Sequence, residues 1–369
     1  MKVCLIYNFA QHYRSSIFSL IDKEFDCGFV FGDRMADVKK MDYSILKGHV
    51  TEVKTKRFLG GWYYQPGVIS QLRKDYESYI LLGETRAIST WLFCIVQRVF
   101  YPRKKVFYWS HGWYGKETRL ERAIKRVFFK LPKNGVFLYG NYAKGLMIKE
   151  GFNPEKLFVI HNSLAYDDQV LIRRELNPSP IFQDHFANQN PNLVFVGRLT
   201  PVKKLDMVLK AVANLKDRGQ DYNLTMIGGG EMKEQLEELS KNLGMTQMVW
   251  FFGPCYDEKA LGELIYNADL CVSPGNVGLT AMHSLVFGTP VLTHDSFPYQ
   301  MPEFEAIKEG ETGTFFKHGD IDSLVDRISD WFAEKKDQRE EVREACMKEI
   351  DRFWTPHFQL DVIKKHLYD

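Results

Sequence analysis

The stretch LVFVGRLTPVKKLDMVLK, residues 193–210, decides the fold class of this chain. It opens with a short apolar run rich in β-branched and aromatic residues, turns at Gly197, and continues into an amphipathic pattern of helical period over 205–216. A continuous apolar strand that leads through a glycine turn into a helix is the repeating unit of doubly wound α/β domains. The stretch therefore predicts a parallel sheet that is covered by helices on both faces.

Similar apolar runs alternate with helical patterns on both sides of this stretch, and the chain, at 369 residues, exceeds the usual size of one hydrophobic core. The first series of runs occupies 3–7, 27–31, 79–82, 105–109, 135–139 and 157–161. The second series occupies 193–196, 222–227, 248–252, 270–273, 290–293 and 313–316. We therefore predict two Rossmann-like domains, with ligands bound in a cleft that the carboxyl ends of both sheets face.

The polar, proline-containing segment 175–191 interrupts both series and is the expected joint. The predicted domains are 1–178 and 190–345, and the segment 346–369 is predicted to form a C-terminal helix that returns toward the N-terminal domain. Apolar residues make up 45% of the chain and charged residues 26%, as in ordinary globular proteins. The net charge of +2 points to no nucleic-acid partner.

The six cysteines are scattered without a C-x-x-C pair and are expected to be reduced core residues, so no metal site is predicted. The longest apolar stretch, 90–101, contains Gln97 and Arg98 and is shorter than the roughly 20 residues that a membrane span needs. These features predict a cytoplasmic protein that is not integral to a membrane.

Three segments at predicted strand ends have the composition of an anion site. Gly197 lets the backbone approach an anion, while Arg198 supplies a planar fork and Lys203 a mobile charge, a combination that suits a diphosphate. Glycines recur in Ile227-Gly-Gly-Gly-Glu231, and a helix beginning near Gly278 would direct its positive dipole end at an anion. The alternative is that the basic residues here are solvated surface groups.

These segments, read together and in order, resemble the retaining glycosyltransferases of family 4, in glycosyltransferase group 1. The residues that carry the resemblance are G-R-L-x-x-x-K from Gly197, I-G-G-G-E, F-F-G, A-D-L-x-V-S-P, G-L-x-x-x-H-S-L-x-x-G-T-P-V and G-x-T-G, which ends at Gly313. The resemblance covers the C-terminal half. It implies a GT-B fold in which the second domain binds a nucleotide sugar and the first binds the acceptor.

Carried over residue by residue, the resemblance places Arg198 and Lys203 at the donor diphosphate, and it places the Gly278 helix start at phosphate and sugar. The implied donor-binding set is Gly197, Arg198, Lys203, Gly229, Gly253, Gly278, Leu279, Thr280 and His283. The family's two glutamates, seven residues apart, are replaced here by Gly275 and His283. An imidazole can partly replace the second carboxylate at the ribose, whereas glycine cannot replace the first.

In the first half, His111 follows an apolar run and is similar to the histidine that many family members present to the donor sugar, although a structural histidine is the alternative. The turn after the first run supplies His12 and Arg14 as acceptor-binding candidates. The catalytic set is therefore His111, Arg198 and Lys203. Transfer by such enzymes is described as front-face displacement in which the leaving diphosphate helps to deprotonate the acceptor, so no catalytic base is obligatory. Because no D-x-D stands in a position that suggests a bound metal, metal independence is predicted, and no cofactor is expected.

The predicted function is metal-independent, retaining transfer from a nucleotide sugar, with UDP-sugars favoured over GDP-sugars, to a glycan or lipid-linked acceptor in polysaccharide or glycoconjugate synthesis. The alternatives are a catalytically inactive GT-B nucleotide-binding subunit and a nucleotide-sugar epimerase. The segment 116–133 combines an apolar face (Leu120, Ile124, Val127, Phe128 and Leu131) with a basic stripe (Arg119, Arg122, Arg126, Lys130 and Lys133). It predicts either peripheral binding to an anionic membrane, at the inner face of the plasma membrane, or a core-packed helix with a solvated basic side.

Overall fold

The computed structural model describes residues 1–33 and 38–368. They form two compact units, unit 1 (Met1–Ala165 and Thr355–Asp369) and unit 2 (Tyr166–Trp354). Each unit contains one parallel sheet with helices, as the alternation of apolar runs and helical patterns predicts.

Unit 1 is built on a seven-stranded parallel sheet in the order β3-β2-β1-β6-β7-β8-β9, and β4 and β5 form a separate antiparallel pair. The strands are β1 (Lys2–Tyr7), β2 (Asp26–Gly32), β3 (His49–Val53), β4 (Lys56–Arg57), β5 (Tyr63–Tyr64), β6 (Ser78–Leu82), β7 (Lys105–Ser110), β8 (Gly135–Leu138) and β9 (Leu157–Val159). The helices between them are α1 (Ser15–Glu24), α2 (Ile88–Phe100), α3 (Arg119–Phe129) and α4 (Asn141–Lys149). The central strands are buried on both faces, which explains their continuous apolar sequences.

Unit 2 contains a six-stranded parallel sheet in the order β12-β11-β10-β13-β14-β15. Its strands are β10 (Asn192–Val196), β11 (Asn223–Ile227), β12 (Val249–Gly253), β13 (Leu270–Ser273), β14 (Val291–His294) and β15 (Gly313–Phe316). Its helices are α5 (Tyr166–Glu175), α6 (Ile181–Phe186), α7 (Leu205–Asp217), α8 (Lys233–Asn242), α9 (Glu258–Asn267), α10 (Leu279–Val286), α11 (Ile321–Lys335) and α12 (Arg339–Phe353). This strand order is that of the Rossmann fold.

The last helix, α13 (Pro356–Tyr368), belongs to unit 1 and packs against α1, which confirms the predicted return of the C-terminal helix. Ile363 and Leu367 are buried in the same core as β1, and Lys364 Nζ lies 2.5 Å from Glu24 Oε1. The ammonium of Lys105 also donates to the Leu367 carbonyl at 2.9 Å.

The observed division of the chain differs from the predicted boundaries at 178, 190 and 345. Unit 2 already includes α5, because this helix packs against α9 and α10 and buries Gln169. Unit 2 also includes all of α12, because α12 packs against α10 through a face that buries Val342, Cys346 and Ile350. The division at the C-terminal end lies between Trp354 and Thr355, just before α13.

Each sheet has one point at which the strand order reverses, between β1 and β6 in unit 1 and between β10 and β13 in unit 2. Helices that follow these neighbouring strands leave the sheet on opposite faces, which opens a crevice at the carboxyl ends of the strands. Most of the predicted site residues follow such strand ends. Within the described ranges, no helix is long and apolar enough to cross a bilayer.

Candidate functional site

The loop after β10 is held by backbone contacts with the glycine loop after β11. Gly197 N–H donates to the Ile227 carbonyl and Leu199 N–H donates to the Gly229 carbonyl, both at 2.9 Å. A Cβ on Gly228 would lie 1.9 Å from the Gly197 oxygen. Only glycine fits at position 228, because the two loops pack backbone against backbone. These contacts hold the backbone of the turn that carries Arg198.

Arg198 lies just after β10, at the carboxyl edge of the unit 2 sheet. Its side chain is exposed and makes no ion pair or hydrogen bond with the residues that the structure describes. Gly253, at the end of β12, has a φ of 90° and open space where a side chain would begin. Because it is exposed and lacks a partner among the described residues, the Arg198 guanidinium is available to an anion at the switch point between β10 and β13.

Lys203 is held differently from the sequence-based expectation of a mobile charge. Its ammonium donates to the Asn276 carbonyl at 2.6 Å, to Asn276 Oδ1 at 3.1 Å and to the Val277 carbonyl at 3.1 Å. Because an ammonium has three donors, these bonds use all of them. Burial lowers the Lys203 pKa to about 8, an effect that the Glu303 carboxylate opposes and the Arg198 charge reinforces. Lys203 therefore fixes the loop before α10 in this structure, and contact with a diphosphate would require one of these bonds to be exchanged.

Gly275 lies under the same turn. Its N–H donates to the Lys203 carbonyl at 2.9 Å, and a Cβ at this position would lie 2.0 Å from the Val202 oxygen and 2.7 Å from the carbonyl carbon of Lys203. Real Cβ atoms essentially never come this close to backbone atoms. The position thus has no room for any side chain unless the turn at 201–203 moves.

Two hydrogen bonds hold the amino end of α10 in place. Gly278 caps the helix with a φ of 53°, and the preceding Val277 N–H donates to Gln300 Oε1 at 2.8 Å. The Thr280 hydroxyl donates to the Val196 carbonyl at 2.6 Å, so it ties α10 to the end of β10. The dipole of α10 directs partial positive charge toward the loop that Lys203 holds.

The two remaining donor-site candidates, Leu279 and His283, are four residues apart on α10 and are both partly exposed. They therefore share one face of the helix near its amino end. The backbone crowding found at Gly275 does not extend to His283, because His283 lies inside the regular helix.

The structure also brings together basic groups in unit 2 that the sequence analysis missed. The Lys204 ammonium lies 3.0 Å from His318 Nε2, and the rings of His294 and His318 are 4.4 Å apart. Burial, followed by the nearby His318 and Lys204 charges, lowers the His294 pKa to about 4. Lys204 and His318 follow β10 and β15, and His294 is the last residue of β14, so only their shared position at strand ends could have indicated that they meet.

Unit 1 has a cavity of about 360 Å³ at its own switch point, at the carboxyl ends of β1, β6, β7 and β8. Among its lining residues are Tyr7, Arg14, Glu84, His111, Lys125 and Tyr139. The predicted residues His111 and Arg14 are therefore brought together. His12 is not among the lining residues, since it is exposed and its Nδ1 lies 3.3 Å from the Lys39 carbonyl.

His111 lies between aromatic rings, with the Tyr139 ring centroid at 4.6 Å and that of Tyr114 at 6.1 Å. Burial and the nearby Arg14 and Lys125 charges lower its pKa to about 3. The imidazole is therefore neutral at any physiological pH, and it can donate or accept a hydrogen bond but carries no charge. Among the described residues, no group of three or more His, Cys, Asp or Glu side chains has the arrangement of a metal site.

The region that holds the candidate donor residues matches a known protein family. The family model described as "Glycosyl transferases group 1" matches residues 179–348, which include all the candidate donor residues. An uncharacterized glycosyltransferase of Methanocaldococcus jannaschii is 28% identical over 192 residues, 50% of this chain and 45% of that relative. A GDP-mannose-dependent α-(1-6)-phosphatidylinositol monomannoside mannosyltransferase of Mycolicibacterium smegmatis is 26% identical over 45% of this chain and 43% of the relative.

The matched region spans less than half the length of these curated relatives. Among solved structures, HepE of Anabaena in complex with UDP superposes with a TM-score of 0.74 and 16% identity, covering 100% of both chains. At this identity the likeness concerns the fold, and together with the two Rossmann-like sheets it confirms the predicted α/β GT-B fold. The comparisons therefore support a group 1 glycosyltransferase, with the family match located in unit 2.

Proposed function

We propose that this chain is a retaining, metal-independent glycosyltransferase that binds its nucleotide-sugar donor in unit 2 and its acceptor in unit 1. The observation that carries the proposal is the exposed guanidinium of Arg198, which has no partner among the described residues and follows β10 at the Rossmann switch point. The family match covers this whole region. A glycine turn, a free guanidinium and a helix amino end form a binding site for a diphosphate.

The same groups supply the chemistry that transfer requires. When the bond between sugar and diphosphate breaks, negative charge grows on the leaving diphosphate, and fixed positive groups stabilise that charge. Arg198 and the α10 dipole supply such groups, and Lys203 holds the loop between them while adding its own charge. In the proposed front-face reaction the departing diphosphate assists deprotonation of the acceptor hydroxyl, so the chain needs to supply no base.

His111 has a role in this proposal as a neutral group. With a pKa of about 3, the imidazole cannot act as a general acid in the physiological range, but it can hold a sugar hydroxyl by hydrogen bonding. His283, partly exposed on α10, is the proposed contact to the ribose, with Leu279 beside it.

The donor is proposed to be a UDP-sugar, with a GDP-sugar as the second choice. UDP occupies the solved neighbour, whereas a curated relative is named for GDP-mannose. The test is calorimetric titration of the full chain with UDP and GDP, followed by a hydrolysis and transfer assay on a panel of nucleotide sugars with and without a chelator. Loss of turnover on chelation would refute metal independence, and the anomeric configuration of the product decides between retention and inversion.

A matched pair of variants tests the site itself. Arg198→Ala should weaken nucleotide binding at least tenfold, the order expected for a lost charge-assisted contact. Arg218→Ala is the control, because Arg218 is also an exposed arginine of unit 2 but lies at the opposite edge of the sheet, after α7, where it pairs with Asp326. Equal nucleotide affinity in the two variants would exclude Arg198 from the donor site.

One observation favours a second function, that of a catalytically inactive nucleotide-binding subunit. The resemblance implies a glutamate at position 275, and backbone atoms of the turn at 201–203 fill the space that its side chain would need. Nucleotide binding without hydrolysis or transfer on the whole donor panel would establish this alternative.

We also propose peripheral association with an anionic membrane, in the cytoplasm at the inner face of the plasma membrane, through α3. The face differs from the predicted one: Phe128 is fully buried in unit 1, whereas Leu120 and Val127 are 70% and 59% exposed. Arg122 and Arg126 both pair with Glu150, at 2.6 and 2.7 Å, which reduces the positive charge available to lipids. Charge from Arg119, Lys130 and Lys133 remains at the exposed surface.

A further inference from the structure

Among the residues that the structure describes, Arg14 is a buried cation without an anionic partner. It is 7% exposed, and Nη2 donates to the Tyr139 hydroxyl at 2.5 Å. Nε and Nη1 are buried and have no hydrogen-bond partner among the described residues. Burying a charge without pairing it is costly, so a guanidinium in this state requires an explanation.

Aromatic rings account for only part of its stabilisation. The guanidinium carbon lies 5.4 to 5.6 Å from the ring centroids of Tyr7, Tyr13, Trp109 and Tyr139. These rings attract the cation through their negative faces, but they leave Nε and Nη1 without a hydrogen-bond acceptor. The cage therefore holds a charged fork in place without completing its hydrogen bonds.

The other charged groups that line the same cavity do not neutralise Arg14. The Glu84 carboxylate accepts from the Tyr63 hydroxyl at 2.8 Å and from Asn8 Nδ2 at 3.4 Å, and it forms no ion pair with the guanidinium. The Lys125 ammonium pairs with Glu117 at 2.6 Å. Among the described residues, Arg14 therefore forms no ion pair in this cavity, and its unused N–H donors can bind an anionic ligand.

We infer that the unit 1 cavity binds an oxyanion, a phosphate or carboxylate group of the acceptor, and that the Arg14 fork is its counter-charge. The planar guanidinium suits both groups because each presents two oxygens to parallel N–H donors. His111, whose Nδ1 is buried and lacks a partner among the described residues, lines the same cavity and can add a hydrogen bond to the ligand. That the ligand is the acceptor rests on the proposed function, whereas the oxyanion site itself does not.

The test measures binding of inorganic phosphate and of acetate to the full chain by NMR titration at constant ionic strength. All proteins carry Arg198→Ala, so that the proposed diphosphate site in unit 2 does not contribute. We expect saturable binding of at least one anion, weakened tenfold or more by Arg14→Gln. Binding of phosphate but not acetate would indicate a phosphorylated acceptor, and binding of acetate but not phosphate would indicate a carboxylated one. Binding of both anions would indicate a site that accepts either group. Binding of neither anion, or equal binding with and without Arg14→Gln, would overturn the inference.

Arg14→Lys is a second variant in case Arg14→Gln does not fold. It keeps the positive charge of Arg14 but loses the planar guanidinium fork. We expect Arg14→Lys to bind the anion more weakly than the parent protein does but more tightly than folded Arg14→Gln, and the anion should raise its unfolding temperature. Affinity in Arg14→Lys equal to that with Arg14 would contradict the role of the fork. UDP affinity, measured with Arg198 intact, should be the same with and without the Arg14 substitutions. Failure of UDP to bind would therefore count against the donor site and leave the oxyanion site standing.

Discussion

Replacing Gly275 by alanine adds one methyl group at a position where backbone atoms already occupy the space. The new Cβ would lie 2.0 Å from the Val202 oxygen, whereas ordinary van der Waals contact begins at 3.4 Å. The turn at 201–203 must therefore retreat by about 1.4 Å, and in doing so it lengthens the hydrogen bond from Gly275 N–H to the Lys203 carbonyl. The same movement displaces the Lys203 ammonium from Asn276 and Val277.

The expected decrease in the free energy of unfolding has two sources, overpacking and a weakened hydrogen bond. Overpacking of a filled site costs about 1 to 3 kcal/mol. One weakened backbone hydrogen bond adds roughly 0.5 to 1.5 kcal/mol. Gly275→Ala should therefore lower the free energy of unfolding by about 1.5 to 4.5 kcal/mol, provided that the two effects add. Donor affinity should also fall at temperatures where the protein is still folded, because the loop before α10 loses its support.

Chemical denaturation of the full chain measures the first effect, and nucleotide titration measures the second. Gly145→Ala is the matched control: Gly145 lies in α4, has a normal helical backbone, and a Cβ there meets nothing within 4 Å. This control should be neutral or stabilising by up to about 1 kcal/mol, since alanine favours helix. If Gly275→Ala unfolds within about 0.5 kcal/mol of the parent protein, against the range expected for overpacking, the steric reasoning is wrong.

Four further predictions concern charge and membrane binding. Donor affinity should fall as pH rises through about 8, where Lys203 loses its proton, and Lys203→Arg should move this fall to much higher pH. Because the pKa of Lys203 is lower in the folded than in the unfolded state, its contribution to folding stability rises as pH increases above 8. Unfolding caused by deprotonation of Lys203 therefore does not explain the loss of affinity. Turnover should show no inflection near pH 6 to 7 from His111, whose pKa is about 3, and an inflection that disappears in His111→Asn would refute its neutral role. His283→Glu should keep nucleotide affinity within about tenfold, near 1.4 kcal/mol, whereas His283→Leu should lose more; wild-type affinity in both would place His283 outside the site. Sedimentation with anionic vesicles should be reduced by high salt and by charge reversal at Arg119 and Lys130, and indifference to both would exclude α3 as the contact.

The fold was predictable because its signal is local. Each buried strand is a continuous apolar run, as in 105–109 and 193–196, and such runs follow from burial on both faces of a parallel sheet. The strand β3 (His49–Val53) was not predicted, for the same reason. This strand lies at the edge of the sheet and is only partly buried, so it mixes polar and apolar residues.

The unit boundaries and the finer features of the sites depend on contacts between distant residues. Nothing in the sequence of α5 shows that it packs on α9, far along the chain. The sequence placed Lys203 near an anion site but could not show that three oxygens from 276–277 already hold its ammonium. Arg14 was selected from its position after β1, whereas its burial in an aromatic cage is evident only in three dimensions.

The two departures from the glutamate pair that the resemblance implies therefore differ in kind. Position 275 is fixed by backbone geometry, because the turn at 201–203 occupies the space of any side chain. Position 283 lies on a partly exposed face of α10, inside the regular helix. Restoring a glutamate should consequently be tolerated at 283 and disruptive at 275. The proposed transfer therefore uses no carboxylate from position 275, and it assigns stabilisation of the leaving group to the charge of Arg198 and the amino end of α10.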